Sequence, residues 1–267
     1  MPQYDTIIIG GGPAGISAAL TLRAMERSVI VISGDSKDSG LYKAKRIDNY
    51  PGMPGVSGEA MLTAMYAQLS ASGAELVRGI ALSAVKTKKG FMVSVGNDAY
   101  QSRTLIVAVG AAKGVVYENE DKLLGRGVSY CAVCDGALYK NKPVVVLALR
   151  SDAEEEAEQL RRIGCDVTVI DPKGKKIAFI GDDKLTAVKV DGEELAAACV
   201  FVLRAAIAPA ALISGLEISD GAIIADRLGR TSIEGLFAAG DCGGKPYQVA
   251  KAVGEGQIAA YSANDLI

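Results

Sequence analysis

Histidine and tryptophan are both missing from this 267-residue chain. Without histidine there can be no Ser-His-Asp triad, no imidazole general base and no His-ligated metal. Neither sign of charge is in surplus: 29 basic side chains face 31 acidic ones, giving a net charge of −2 and a pI of about 5.4. Nothing in that balance invites nucleic acid or an anionic membrane surface. A long unbroken apolar run is lacking too, since the longest tract, Leu195 to Ile213, contains Arg204 and Pro209 and reads as core. Met1-Pro2-Gln3-Tyr4-Asp5 has no basic n-region and runs straight into an apolar strand, so no secretory leader is expected. Cysteines number only five, which fits a reducing, cytoplasmic compartment with one pair kept for chemistry. What is plentiful is apolar residue, 49% of the chain, enough for one large or two modest domains.

The pair that stands out is in Cys131-Ala132-Val133-Cys134-Asp135-Gly136. Two intervening residues let the sulfurs close a small disulfide ring or separate as a dithiol, and a thiolate at such a site is more acidic than free cysteine. Asp135 stands where it could give or take the proton that thiol exchange requires. The competing reading is half of a zinc site, which needs a second pair of ligands. Cys165, Cys199 and Cys242 stand alone, so redox chemistry is favoured and no metal is expected.

Near the start, Thr6-Ile7-Ile8-Ile9 runs into Gly10-Gly11-Gly12-Pro13-Ala14-Gly15, then a helical pattern to about Arg27, then Val29-Ile30-Val31-Ile32. This is GxGxxG in the strand, turn, helix, strand frame of a dinucleotide site. Gly10 allows the turn, Gly12 lets a pyrophosphate approach the backbone, and Gly15 lets helix and strand pack. The acid usual for a ribose hydroxyl is not evident, because Ser33 and Gly34 follow and Asp35 comes only after them. A turn-rich segment around Asn49-Tyr50-Pro51-Gly52 reads as a loop. A helix over 58–72 and strands near 75–77, 82–85, 91–95 and 105–109 come around it, with Lys86, Lys88 and Lys89 as a solvated hairpin tip.

Pro143-Val144-Val145-Val146-Leu147 opens a second copy of the same half, for Val167 follows Ala148 at the spacing by which Val29 follows Gly10. The copy has lost its fingerprint: Ala148, Arg150 and Ala153 replace the three glycines. Acids at Asp152 and Glu154 to Glu156 open its helix, where they stabilise the helix dipole but repel a dinucleotide. Asp171-Pro172-Lys173 offers no clamp for a 2′-phosphate. The alternative is a divergent but working NADPH site with Arg150 reaching for phosphate. So few residues separate Ile170 from Ile177 that a hairpin is expected there rather than a parallel crossover. Late in the chain, Phe237-Ala238-Ala239-Gly240-Asp241 ends a strand, and a helix rich in small residues follows Pro246-Tyr247-Gln248.

The glycine fingerprint, Asn49-Tyr50-Pro51-Gly52, the CxxC-Asp-Gly segment and Ala239-Gly240-Asp241, in this order, resemble the low-molecular-weight thioredoxin reductases along nearly the whole chain. The resemblance implies an α/β architecture of two Rossmann-like domains: a split FAD domain, 1–112 and 206–267, around an inserted, degenerate NADPH-type domain, 113–205, that carries the CxxC. It implies FAD along Gly10, Gly12, Pro13, Ala14 and Gly15, with Asn49, Gly240, Asp241 and Gln248 near the flavin and its ribityl chain. Cys134 would face the flavin, Cys131 would attack the disulfide of thioredoxin, and Asp135 would serve as acid. It also implies a homodimer. Because Cys134 would have to meet the flavin in one state and the disulfide a protein substrate in another, the inserted domain is expected to rotate about crossings near Gly110–Lys113 and Ala205–Ala208.

The loss of the second fingerprint is similar to the ferredoxin-dependent flavin thioredoxin reductases, which implies reduced ferredoxin as donor. Lys43, Lys45 and Arg46 could meet an acidic ferredoxin, or be ordinary solvated surface. Open alternatives are a reductase fed by NAD(P)H or by a second flavin, and a dithiol oxidase passing electrons to oxygen.

Overall fold

The apolar, β-branched run at the N-terminus forms the strand its composition favours. In the computed structural model, which describes residues 3–111, 117–204 and 206–267, β1 (Gln3–Ile9) leads into α1 (Pro13–Ala24) and then β2 (Val29–Ser33). β1 and β2 pair in parallel with Thr6 opposite Val29 and Ile9 opposite Ile32. Gly10 turns at φ +116°, and a Cβ there would lie 2.1 Å from the Ala108 carbonyl oxygen, so no other residue fits. α2 (Gly58–Ala71) starts at Ser57, whose hydroxyl accepts the Ala60 N–H, and returns the chain to β3 (Glu75–Arg78), parallel to β2. β4 (Ala81–Thr87), β5 (Gly90–Val95) and β6 (Asp98–Val107) form an antiparallel meander, and β6 also pairs in parallel with β1. At the β4–β5 turn, Lys88 and Lys89 are exposed as expected. Lys86 is exposed too, but its ammonium also donates to the Glu234 carbonyl and lies 4.6 Å from the centre of the buried Phe91 ring.

The second copy carries α3 (Glu120–Leu123), β7 (Val128–Ser129), α4 (Ala132–Asp135), β8 (Pro143–Ala148), α5 (Ala153–Ile163) and β9 (Asp166–Ile170). It continues with β10 (Ile177–Ile180), β11 (Ala187–Val190), β12 (Glu193–Ala196) and β13 (Cys199–Leu203). Its parallel sheet runs β7–β13–β8–β9. The repeat holds to the residue, since Val144 faces Val167 as Thr6 faces Val29. Val145, Leu147, Val200 and Val202 pack on one side of the sheet; Val144, Val146, Phe201 and Leu203 pack on the other. Burial on both faces explains why these strands read as continuous apolar runs.

The expected hairpin at 171–176 is not there. β9 stays in the parallel sheet, whereas β10 leaves it and pairs antiparallel with β11, which pairs with β12. The shortness of 171–176 correctly excluded a parallel crossover. It could not say that the next strand would join a different sheet. The counterpart of α2 and β3 is therefore missing from this copy among the described residues.

The chain then forms α6 (Pro209–Leu212), β14 (Ile218–Ser219), β15 (Ala222–Ile223), β16 (Leu236–Ala238) and α7 (Val249–Asn264). β16 joins the first sheet beside β6, Leu236 opposite Leu105. α7 lies so close to α1 that a Cβ on Gly256 would stand 2.1 Å from the Ala14 carbonyl oxygen. Two compact units result: Met1–Lys113 with Ala206–Ile267, and Gly114–Ala205. Of the two expected crossings, Ala112, Lys113 and Ala205 lie outside the described residues. Among the described residues no helix is long and apolar enough to cross a membrane.

Candidate functional site: a dinucleotide cradle and a redox disulfide

In the first unit the backbone of Gly10 to Gly15 makes an open cradle. Gly12 is the N-cap of α1, no side chain caps that helix, and no acid stands in its first turn. A Cβ on Gly12 would meet nothing within 4 Å, so the space above it is free. A Cβ on Gly15 would lie 1.8 Å from the Gly10 carbonyl oxygen, which is why helix and turn can close up only with glycine there. Pro13 and Ala14 complete the first turn, whose free N–H groups suit a pyrophosphate. The cradle therefore fits a dinucleotide.

Around it the structure collects distant residues. The Asn49 amide donates to the Gln248 side-chain oxygen at 2.7 Å across 199 positions of sequence. Gly240, at φ +83°, packs against Ala14, where a Cβ would lie 2.9 Å from the Ala14 methyl. Asp241 follows at the same turn. Burial pushes its carboxyl above the usual range, with the Lys251 charge pulling down and Glu255 pushing up. Lys251 and Glu255, which no sequence motif marks, hold this turn: the ammonium donates to the Gly240 and Gly244 carbonyls, and the Glu255 carboxylate accepts the Gly240 N–H at 2.9 Å. Asp35 is occupied locally, its carboxylate accepting the Lys37 N–H. At the end of β2 the Ser33 hydroxyl meets the Tyr66 hydroxyl instead, at 3.1 Å.

In the second unit Cys131 and Cys134 are joined as a disulfide with their Cα atoms 5.4 Å apart. Cys131 caps α4, and its sulfur accepts the Cys134 N–H at 3.1 Å. Gly136 lets the segment sit on α5, since a Cβ there would lie 2.7 Å from a Leu160 methyl. Asp135 accepts the Ser129 hydroxyl at 2.7 Å. Tyr130, just before Cys131, donates to Glu120, which is 2% exposed and also bound by both terminal nitrogens of Arg204 and by the Tyr117 N–H. The guanidinium lies over both the Tyr117 and Tyr130 rings. Burial raises the Glu120 carboxyl, but these bonds outweigh it and hold the group below the usual carboxylate range. The remaining cysteines are all buried. Burial pushes Cys199 and Cys242 up to about 12, which makes them poor nucleophiles.

The second cradle is filled. Arg150, whose side chain is 7% exposed, lies between Asp152 and Glu156, with its Nε 2.6 Å from the Asp152 carboxylate. The N–H direction at that nitrogen is poor, so the attraction is one of charge. Asp152 occupies the N-cap position of α5 without a side-chain capping bond, and Glu154, Glu155 and Glu156 put three acids in the first turn.

Two Rossmann-type halves, one with an open phosphate cradle and one bearing a redox disulfide, define a nucleotide-linked disulfide oxidoreductase. The model of the pyridine nucleotide-disulphide oxidoreductases matches residues 4–177 and 173–256. A thioredoxin reductase from Listeria innocua is 32% identical, over 99% of this chain and 94% of its own. A ferredoxin-flavin thioredoxin reductase structure from Clostridium acetobutylicum matches with a TM-score of 0.92 and 33% identity, over 100% of this chain and 98% of the other. A thioredoxin reductase structure from Gloeobacter violaceus gives 0.84 and 29%, over 98% and 93%. The chain belongs to the pyridine nucleotide-disulphide oxidoreductases and, within them, to the thioredoxin reductases. FAD is the cofactor of this family and of this chain.

Proposed function

We propose that this protein reduces the disulfide of thioredoxin with its Cys131–Cys134 pair, and that its electrons come from reduced ferredoxin rather than NADPH. The observation that carries the choice of donor is the buried Arg150 between Asp152 and Glu156. Its side chain fills the position where a pyrophosphate needs bare backbone, and the acids around it repel phosphate. Each change alone is tolerable; together they remove access and favourable charge. The likeness to the Clostridium acetobutylicum ferredoxin-flavin enzyme supports the same reading.

In this scheme Gly10, Gly12, Pro13, Ala14 and Gly15 hold the FAD pyrophosphate, and Asn49, Gly240, Asp241 and Gln248 orient the rest of the cofactor. FAD, when bound, would supply one-electron uptake and two-electron delivery for disulfide reduction. Cys134 would be the sulfur that receives the electron pair, Cys131 would attack the disulfide of thioredoxin, and Asp135 would move the proton. The active form is a homodimer working in the cytoplasm. The test is flavin bleaching under argon. Bleaching by reduced ferredoxin and none by micromolar NADPH is the expected result; rapid, stoichiometric bleaching by NADPH overturns the assignment of donor.

A further inference from the structure

The buried Ser129 hydroxyl lies between the backbone of Cys131 and the carboxylate of Asp135. It accepts the Cys131 N–H at 3.1 Å and donates to Asp135 Oδ2 at 2.7 Å. A second acceptor, the Cys131 carbonyl, stands farther off at 3.3 Å, so the single hydroxyl proton goes to the shorter, charged bond. Ser129 is 5% exposed and pairs with Phe201 in the sheet, so water does not compete for it. The next residue, Tyr130, is tied by its hydroxyl to Glu120 at 2.8 Å. The strand end before the disulfide is thus anchored through two consecutive side chains.

We propose that Ser129 is a positioning residue for the dithiol chemistry: it binds one oxygen of Asp135, leaving Oδ1 as the atom that exchanges protons with sulfur. This rests on the reading of Asp135 as the acid. In the reduced protein the Cys131 thiolate attacks the thioredoxin disulfide; one sulfur–sulfur bond forms, one breaks, and the departing thiolate takes a proton from Asp135 Oδ1. Cys134 returns a proton to Oδ1 and its sulfur attacks Cys131 Sγ. The Cys131–Cys134 disulfide re-forms, and the second thioredoxin sulfur leaves as a thiolate that is protonated by solvent. Two electrons have passed from the protein dithiol to thioredoxin.

Among the described residues, Tyr139 and Cys199 are titratable groups whose charge would act on Asp135, and both stay neutral. Tyr139, on the turn after α4, and Cys199 on β13 are both pushed up to about 12, chiefly by burial. A hydroxyl donating to the carboxylate favours its charged form. Its loss removes that bias, so the alkaline limb of the pH profile, on which Asp135 gives up the proton it must donate, should move upward.

The experiment compares Ser129→Ala, Ser129→Thr, Asp135→Asn and the Ala/Asn double variant as FAD-loaded proteins. It measures thioredoxin reduction against pH, and alkylation of Cys131 by iodoacetamide in dithiothreitol-reduced protein. Ser129→Ala should slow kcat roughly tenfold at neutral pH and raise the alkaline limb by about one unit, with the KM for thioredoxin unchanged. Ser129→Thr, which keeps the hydroxyl, should stay within about threefold of wild type, and the double variant should be no slower than Asp135→Asn. Should Ser129→Ala not fold, Ser129→Gly carries the same comparison. An unmoved pH profile and a rate within threefold in the variant lacking the hydroxyl overturn the role of Ser129 while leaving Asp135 as acid. An undiminished Asp135→Asn rate overturns both.

Discussion

Single atoms decide what each nucleotide cradle can hold. Gly12 leaves open space where Arg150, its counterpart, fills the second cradle with a buried cation. Gly12→Arg should therefore abolish FAD binding while the protein keeps its circular dichroism; a flavin-loaded Gly12→Arg protein would remove the cradle assignment. Cys131→Ser should leave the flavin reducible but stop turnover with thioredoxin, and full turnover would show that another sulfur makes the attack. Glu120 tests the polar clasp beside the disulfide. Glu120→Gln would remove the buried carboxylate that both terminal nitrogens of Arg204 bind, and losing one partner of a buried pair costs about 3–5 kcal/mol. Because the folded-state pKa is depressed, the stabilisation from Glu120 is fully present above its unfolded value near 4.5. It is lost as pH falls through the folded value. Wild type should thus lose in acid part of its advantage over Glu120→Gln, as read from denaturant midpoints at pH 7 and pH 3; a constant difference would contradict the assignment.

At the scale of helices and strands, α1 and α5 show what could be read ahead of the structure and what could not. Both helices follow a strand and return to a parallel partner in the same register, and their spacing alone revealed the repeat. The glycines and the CxxC were legible because each answers a local demand: a positive φ at Gly10, open space at Gly12, a close backbone approach at Gly15, and a short sulfur-to-sulfur span. Ser129, Glu120 and Arg204 were not, because their roles arise from contacts: Glu120 and Arg204 are 84 positions apart. Lys251 and Glu255 were within reach, as an i,i+4 pair after the Gly-Asp turn, but such pairs are common on any helix. The course of β10 was misjudged since loop length limits the next strand's direction without naming its sheet. β13 is the element that backs the disulfide segment, for Phe201 pairs with Ser129 and meets Tyr139 edge-on at 6.0 Å between ring centres. Phe201 is fully buried, so Phe201→Ala should cost about 3–5 kcal/mol in equilibrium unfolding. A loss below about 1 kcal/mol would mean that the site collapses around the cavity.

For the molecule as a whole, the donor determines how electrons enter. A nicotinamide must bind in a cradle, whereas a protein donor needs only a docking surface, and filling the second cradle with Arg150 removes nothing such a donor uses. Lys43 and Lys45 are exposed in the loop ahead of Asn49, while Arg46 beside them already pairs with Asp48 at 2.9 Å. Their charges can steer an acidic protein, with an attraction that salt screens over about 10 Å at 0.1 M ionic strength. Steering acts on the association rate more than on the docked complex. The double variant Lys43→Glu/Lys45→Glu should therefore lower the second-order rate of flavin reduction by reduced ferredoxin about tenfold at low salt. The deficit should shrink toward unity as salt approaches 0.5 M, because the screening length then falls below the span of the encounter. FAD content, and thioredoxin reduction from a chemically reduced flavin, should not change, since neither uses this loop. Stopped-flow traces across a salt series check the prediction. A wild-type rate independent of salt, or a variant deficit that persists undiminished at high salt, would place the ferredoxin contact elsewhere on the surface.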